Sequence, residues 1–171
     1  MSALPRMDIP PSALPDDKRI TIVAFSGDMD KLLACLSLAN SAAAMGREVT
    51  IFFTFWGMSA IRKRKAYSKK PWLDRILTFM LPAHASSVGM SRMNMLGAGP
   101  LFFRHLMRRK NVSGVAQLVE TAQALGVEMI ACSMSMDVMG IQSDELIEGV
   151  HHGGAAACVQ DICGSGTALF I

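Results

Sequence analysis

Charge and aromatic rings are both scarce in this chain: 18% of its 171 residues are charged and 6% aromatic, against 51% hydrophobic. That balance excludes intrinsic disorder over most of the length, and the length suits one core-bearing domain. Missing too is any run of roughly 18 apolar residues, which a membrane-spanning helix needs. No secretory signal is visible at the start. Met1 to Lys18 carries Pro5, Pro10, Pro11 and Pro15 with little apolar content, which reads as a flexible leader at 1–18. The four cysteines lack paired C-x-x-C spacing, so structural zinc is not expected. Without a secretion signal they read as free thiols of the reducing cytoplasm.

Other chemistries are excluded by missing patterns. There is no Walker phosphate loop and no His-Glu-x-x-His; Gly97-x-Gly99 and Gly164-x-Gly166 do not follow a strand and open a helix. His151 and His152 are adjacent rather than spaced as helical ligands, and with His84 and His105 they suggest no metal; no cofactor is expected. Only Tyr67 and Trp72 could stack on bases among the basic residues, so nucleic acid is a poor partner.

The net charge of +3 conceals an asymmetry. Twelve of the 17 Lys and Arg residues lie between Arg62 and Lys110, opposed there only by Asp74. Such a field can steer acidic partners or anionic lipid, or be merely a solvated face. The same stretch, about 59–111, holds Pro71, Pro82, Pro100 and Met80, Met90, Met93, Met95 and Met107. It reads as an insertion, with a helix over 72–81 and another over 101–107, suited to a lid, an interface or a membrane contact. A self-complementary Met- and Phe-rich patch there points to a homo-oligomer, peripheral at most to a membrane.

Around the insertion the pattern alternates. Arg19 to Phe25 and Glu48 to Thr54 read as strands, with a helix between them ended by Gly46. Val115 to Leu125 reads as a helix, Val127 to Ala131 as a strand, Gly154 to Ile162 as a small-residue helix and Thr167 to Ile171 as a closing strand. Asp144 and Glu145 suit the first turn of a helix capped by Ser143. The expectation is one domain over 19–171: an α/β, three-layer fold with a mainly parallel sheet of four to five strands.

Ligands in such sheets bind at the carboxyl ends of strands. Three loops qualify: Ser26-Gly27-Asp28, where Asp28 is either a helix cap or a site residue, Phe55-Trp56-Gly57, and Cys132-Ser133-Met134-Ser135. Cys132 sits where a β-branched run stops and a helical pattern begins. A thiol there meets the positive end of a helix dipole and unpaired N–H groups, which favour the thiolate. The competing reading is an inert, buried thiol, as for Cys35, Cys158 and Cys163, which read as packing residues.

The run Phe52-Phe-Thr-Phe-Trp-Gly57, the basic Arg62-Lys-Arg-Lys65, Met93-Asn94-Met95, and above all Ala131-Cys-Ser-Met-Ser-Met-Asp-Val-Met-Gly-Ile141 resemble the DsrE/DsrF-like family, in the branch often labelled peroxiredoxin-like. The resemblance covers about Arg19 to Ile171, including Asp144-Glu-Leu-Ile-Glu-Gly149. It implies a DsrE-like (flavodoxin-like) topology, commonly oligomeric, with sulfurtransferase-like chemistry. A cysteine, Cys132 in this sequence, carries sulfane sulfur as a persulfide between a donor and an acceptor protein or small thiol. Ser133 and Ser135 would support the anion. Peroxide reduction is less well supported, because no basic residue lies near Cys132 in sequence. A scaffold that docks through the basic segment is the alternative to a relay.

Overall fold

The computed structural model describes residues 16–63 and 98–171. The helix expected over 72–81 and the basic and methionine residues between positions 64 and 97 lie outside the described residues. In chain order the elements are β1 (Asp16–Ala24), α1 (Met29–Ala44), β2 (Glu48–Phe53), a 3-10 helix (Phe55–Ile61), α2 (Ala98–Arg109), α3 (Val115–Ala124), β3 (Glu128–Cys132), α4 (Ser133–Met139), a 3-10 turn (Ser143–Glu145), β4 (Val150–Gly153), α5 (Ala155–Gly164) and β5 (Ser165–Phe170).

The five strands pair in the order β4-β3-β2-β1-β5, and every pairing is parallel. Parallel strands are covered on both faces, so their residues read as continuous apolar runs. Alternation divides those runs. Ile22, Ala24, Ile51, Phe53, Met129 and Ala131 join one core with residues of α1, α3 and α4, including Leu32, Leu36, Val115, Val119 and Met136. Val23, Phe52, Ile130 and Cys132 form a second cluster, packed against Cys158 and Ile162 of α5. Burying one such large side chain contributes about 1.5–3 kcal/mol. The step from β4 to β5 crosses from one edge of the sheet to the other, and α5 makes that crossing over the Cys132 face. Helices on both faces give the expected three-layer α/β architecture.

One local expectation is corrected, and two features appear that the sequence left open. Ser143 does not cap a helix: only three residues turn, with Gln142 in the capping place and its N–H donating to Glu145 Oε1 at 2.9 Å. Val150–Gly153 is a strand that its sequence conceals, because four residues bearing two exposed histidines show no apolar signal. Arg62 is not part of a solvated face. It is buried and holds Glu145 at 2.8 Å, while the backbone beside it bridges Leu146.

Candidate functional site

β2, β3 and β4 end side by side, with Phe53 opposite Ala131 and Cys132 opposite Gly153. Thr54, one residue past the Phe53–Ala131 pair, therefore lies beside Cys132. The chain turns at once from β3 into α4, and Cys132 is the residue that caps it, in extended conformation (φ −69°, ψ 113°). A helix leaves its first N–H groups without internal partners. The thiol makes no capping hydrogen bond of its own. Ionisation changes the balance around it. Burial pushes the Cys132 thiol up, but the Ser135 hydroxyl and N–H, the Thr54 hydroxyl and the Met134 N–H together hold it below the ordinary thiol value. Thr54 and Ser135 hydroxyls lie 2.8 Å apart, so one can donate to sulfur while the other donates to it. Hydrogen bonds to a charged acceptor are the strong kind.

Cys132 is 4% exposed. Ser133 next to it is half-buried and Met134 is exposed. Ser133 also lines a cleft of about 340 Å³ with Met136, Asp137, Gln142 and His152. A larger hollow of about 480 Å³, lined by Arg104, Met107, Arg108 and the start of α3, takes no residue from the cysteine loop.

The other two loops pack on each other. A Cβ on Gly27 would stand 2.6 Å from the Trp56 carbonyl oxygen, and one on Gly57 would overlap the Ala24 carbonyl. The two glycines thus allow the β1–α1 loop and the 3-10 helix to interlock, with the Gly57 N–H donating to Phe25 O at 2.9 Å. Ser26 is buried; its hydroxyl donates to Asp28 Oδ2 at 3.0 Å and accepts from the Asp28 N–H. Asp28 stands in the capping place of α1 without a side-chain cap bond, and its carboxylate pairs with Lys31 at 3.1 Å. Trp56 is 53% exposed. Neither of the two hollows described above is lined by these five residues.

Cys35, at the centre of α1, is fully buried and its thiol is pushed up to about 12 by desolvation. It is a packing residue, as its helical position suggests. Cys163 is exposed. Cys158 is different: sequence places it 26 residues from Cys132, yet α5 packs it against the same cluster. Sequence reasoning missed it and Thr54, because both reach Cys132 through pairing that no local pattern records. Among the described residues, no three His, Cys, Asp or Glu side chains gather as metal ligands.

The described residues thus make a protein of the α/β class, a five-stranded parallel sheet with a cysteine at the carboxyl end of β3. Residues 16–170 match the model of the DsrE/DsrF/DrsH-like family, and the chain belongs to that family. It is 44% identical over 155 residues to the uncharacterized protein YrkE of Bacillus subtilis (strain 168), covering 90% of this chain and 97% of that one. It is also 30% identical over 155 residues to the sulfur carrier protein DsrE2 of Allochromatium vinosum, covering 86% of this chain and 98% of the relative. The crystal structure of ychN protein from E. coli shares the fold at a TM-score of 0.57 and 16% identity, covering 90% of this chain and 98% of that one. Among the described residues, no helix is long and apolar enough to cross a membrane.

Proposed function

We propose that this protein is a sulfur relay in which Cys132 holds sulfane sulfur as a persulfide. The observation that carries the reading is the convergence of Ser135, Thr54 and the first N–H groups of α4 on one sulfur atom, which favours its ionised form. The thiolate attacks the outer sulfur of a donor persulfide, R–S–SH. The donor S–S bond breaks, RS⁻ leaves, and Cys132 carries –S–SH. An acceptor thiolate then attacks that outer sulfur and Cys132 leaves as thiolate, stabilised by the same donors. Membership of a family that includes a named sulfur carrier supports the assignment.

The partners of this reading are thiol-bearing donors and acceptors, either proteins or small molecules. Self-association is part of the proposal. Phe170 is 72% exposed and stacks on Phe25 at 5.9 Å, which in turn meets Phe55 at 5.6 Å, an apolar patch at the carboxyl ends of β5 and β1. The deciding experiment is loading with labelled sulfane sulfur followed by peptide mapping. Wild type is expected to carry the label on Cys132 and to pass it to an acceptor thiol. A Cys132→Ser variant that is labelled as fully as wild type ends the proposal.

A further inference from the structure

The chain reaches Cys132 twice. Gly153 is its backbone partner across the β3–β4 pairing, Gly154 caps α5, and Cys158 lies one turn into that helix, its N–H donating to Gly154 O at 3.2 Å. The helix then lies over the sheet face that bears Val23, Phe52, Ile130 and Cys132, with Cys158 and Ile162 packed against them. Gly153 permits the close start: a Cβ there would stand 2.8 Å from Ile130 Cγ2 and 3.1 Å from Phe52 Cε2. Two thiols of different exposure thus share one apolar cluster, Cys132 buried and Cys158 half-buried. Cys158 also senses charge on Cys132. Burial, the Asp161 carboxylate and a charge on Cys132 all push the Cys158 thiol up.

We propose that Cys158 is a second thiol of the same site and resolves a persulfide on Cys132 into a Cys132–Cys158 disulfide, with release of sulfide. The inference rests on the persulfide reading above. Cys158, as thiolate, attacks Sγ of Cys132; the bond from Sγ to the outer sulfur breaks, and HS⁻ leaves and takes the proton that Cys158 gave up. One S–S bond breaks and one forms: the outer sulfur goes from −1 to −2 as sulfide, Cys158 Sγ goes from −2 to −1, and Cys132 Sγ stays at −1. No external oxidant enters. An external thiol later reopens the disulfide by exchange. The protein then has two exits for its sulfur: transfer when an acceptor arrives in time, and discharge as sulfide when none does.

The experiment treats the reduced protein with sodium tetrasulfide, removes the excess, and follows non-reducing intact mass, peptide maps and released sulfide over time. Wild type is expected to become two hydrogens lighter than the reduced protein, to yield a Cys132–Cys158 linked peptide, and to release sulfide in step. Cys158→Ser and Cys158→Ala variants are expected to keep one extra sulfur on Cys132 for roughly tenfold longer or more, and Cys163→Ser is expected to behave as wild type. A wild-type persulfide as long-lived as that of the Cys158 variants, with no linked peptide, overturns this inference and leaves the relay standing. Linkage of Cys132 to Cys163 overturns it equally. Wild type that neither carries sulfur on Cys132 nor yields the linked peptide overturns the persulfide reading itself, and the resolution step with it. The linked peptide is read on wild type alone, so the outcome does not depend on a variant folding.

Discussion

Replacing Ser135 with alanine removes one hydroxyl donor from the Cys132 sulfur and leaves the backbone N–H groups in place. Ser135 is fully buried, so water cannot take over the lost contact. A hydrogen bond to a charged group contributes about 1.5–3 kcal/mol, and tenfold in an equilibrium corresponds to about 1.4 kcal/mol. Below the midpoint of both proteins, the thiolate population of Ser135→Ala should therefore fall roughly 10- to 100-fold. Thr54→Val tests the other hydroxyl at nearly constant shape, and its effect is expected to be smaller. Thr54 donates either to sulfur or to Ser135, 2.8 Å away. The assay is the pH dependence of iodoacetamide alkylation at Cys132, read by peptide mass spectrometry. Wild type should titrate below the usual thiol range, and Ser135→Ala should titrate higher. If both variants alkylate with the wild-type midpoint, the hydroxyls do not stabilise the anion and the reasoning about this site fails.

Two further outcomes are expected elsewhere in the molecule. Arg62→Ala takes the guanidinium from the largely buried Glu145 carboxylate, which keeps the Gln142 N–H, and should lower unfolding free energy by about 1.5–3 kcal/mol in urea titration, whereas Lys63→Ala, whose partner Glu148 is exposed, should change it by less than about 1 kcal/mol. Cys35 is neutral in the fold, with its thiol raised to about 12 from 9.0. A raised value means that its contribution is fully present below the unfolded thiol range and is lost as pH climbs toward the folded value. Stability should therefore fall between pH 9.0 and about 12, and Cys35→Ala should flatten that alkaline loss.

What the sequence could disclose depended on the range of the interaction. β1, β2 and β3 are apolar runs bounded by caps and glycines, and their strand character is local, so their places are legible to within a few residues. Cys132 is legible for the same reason: the change from a strand pattern to a helix pattern falls on it. β4 is not, because His151 and His152 face outward and its neighbours are glycines; it is a strand by virtue of lying beside β3. The helix expected after Ser143 yields to the ion pair of Glu145 with Arg62, which holds that stretch in a turn. Thr54 and Cys158 carry no signal at all in one dimension. Each is brought to Cys132 by tertiary placement, the first by strand adjacency and the second by a helix that crosses the sheet.

The hydroxyl of Thr21 meets that of Ser165 at 2.7 Å across a separation of 144 residues, because β5 lies beside β1. Loops of that span close slowly, and contacts between distant positions retard folding. Until β5 arrives, the outer side of β1 offers a bare ladder of N–H and C=O groups to any extended chain nearby. During biosynthesis this protein would thus pass through a stage in which every strand but one is available and its sheet is sticky along one border, a window in which a chaperone has the most to protect.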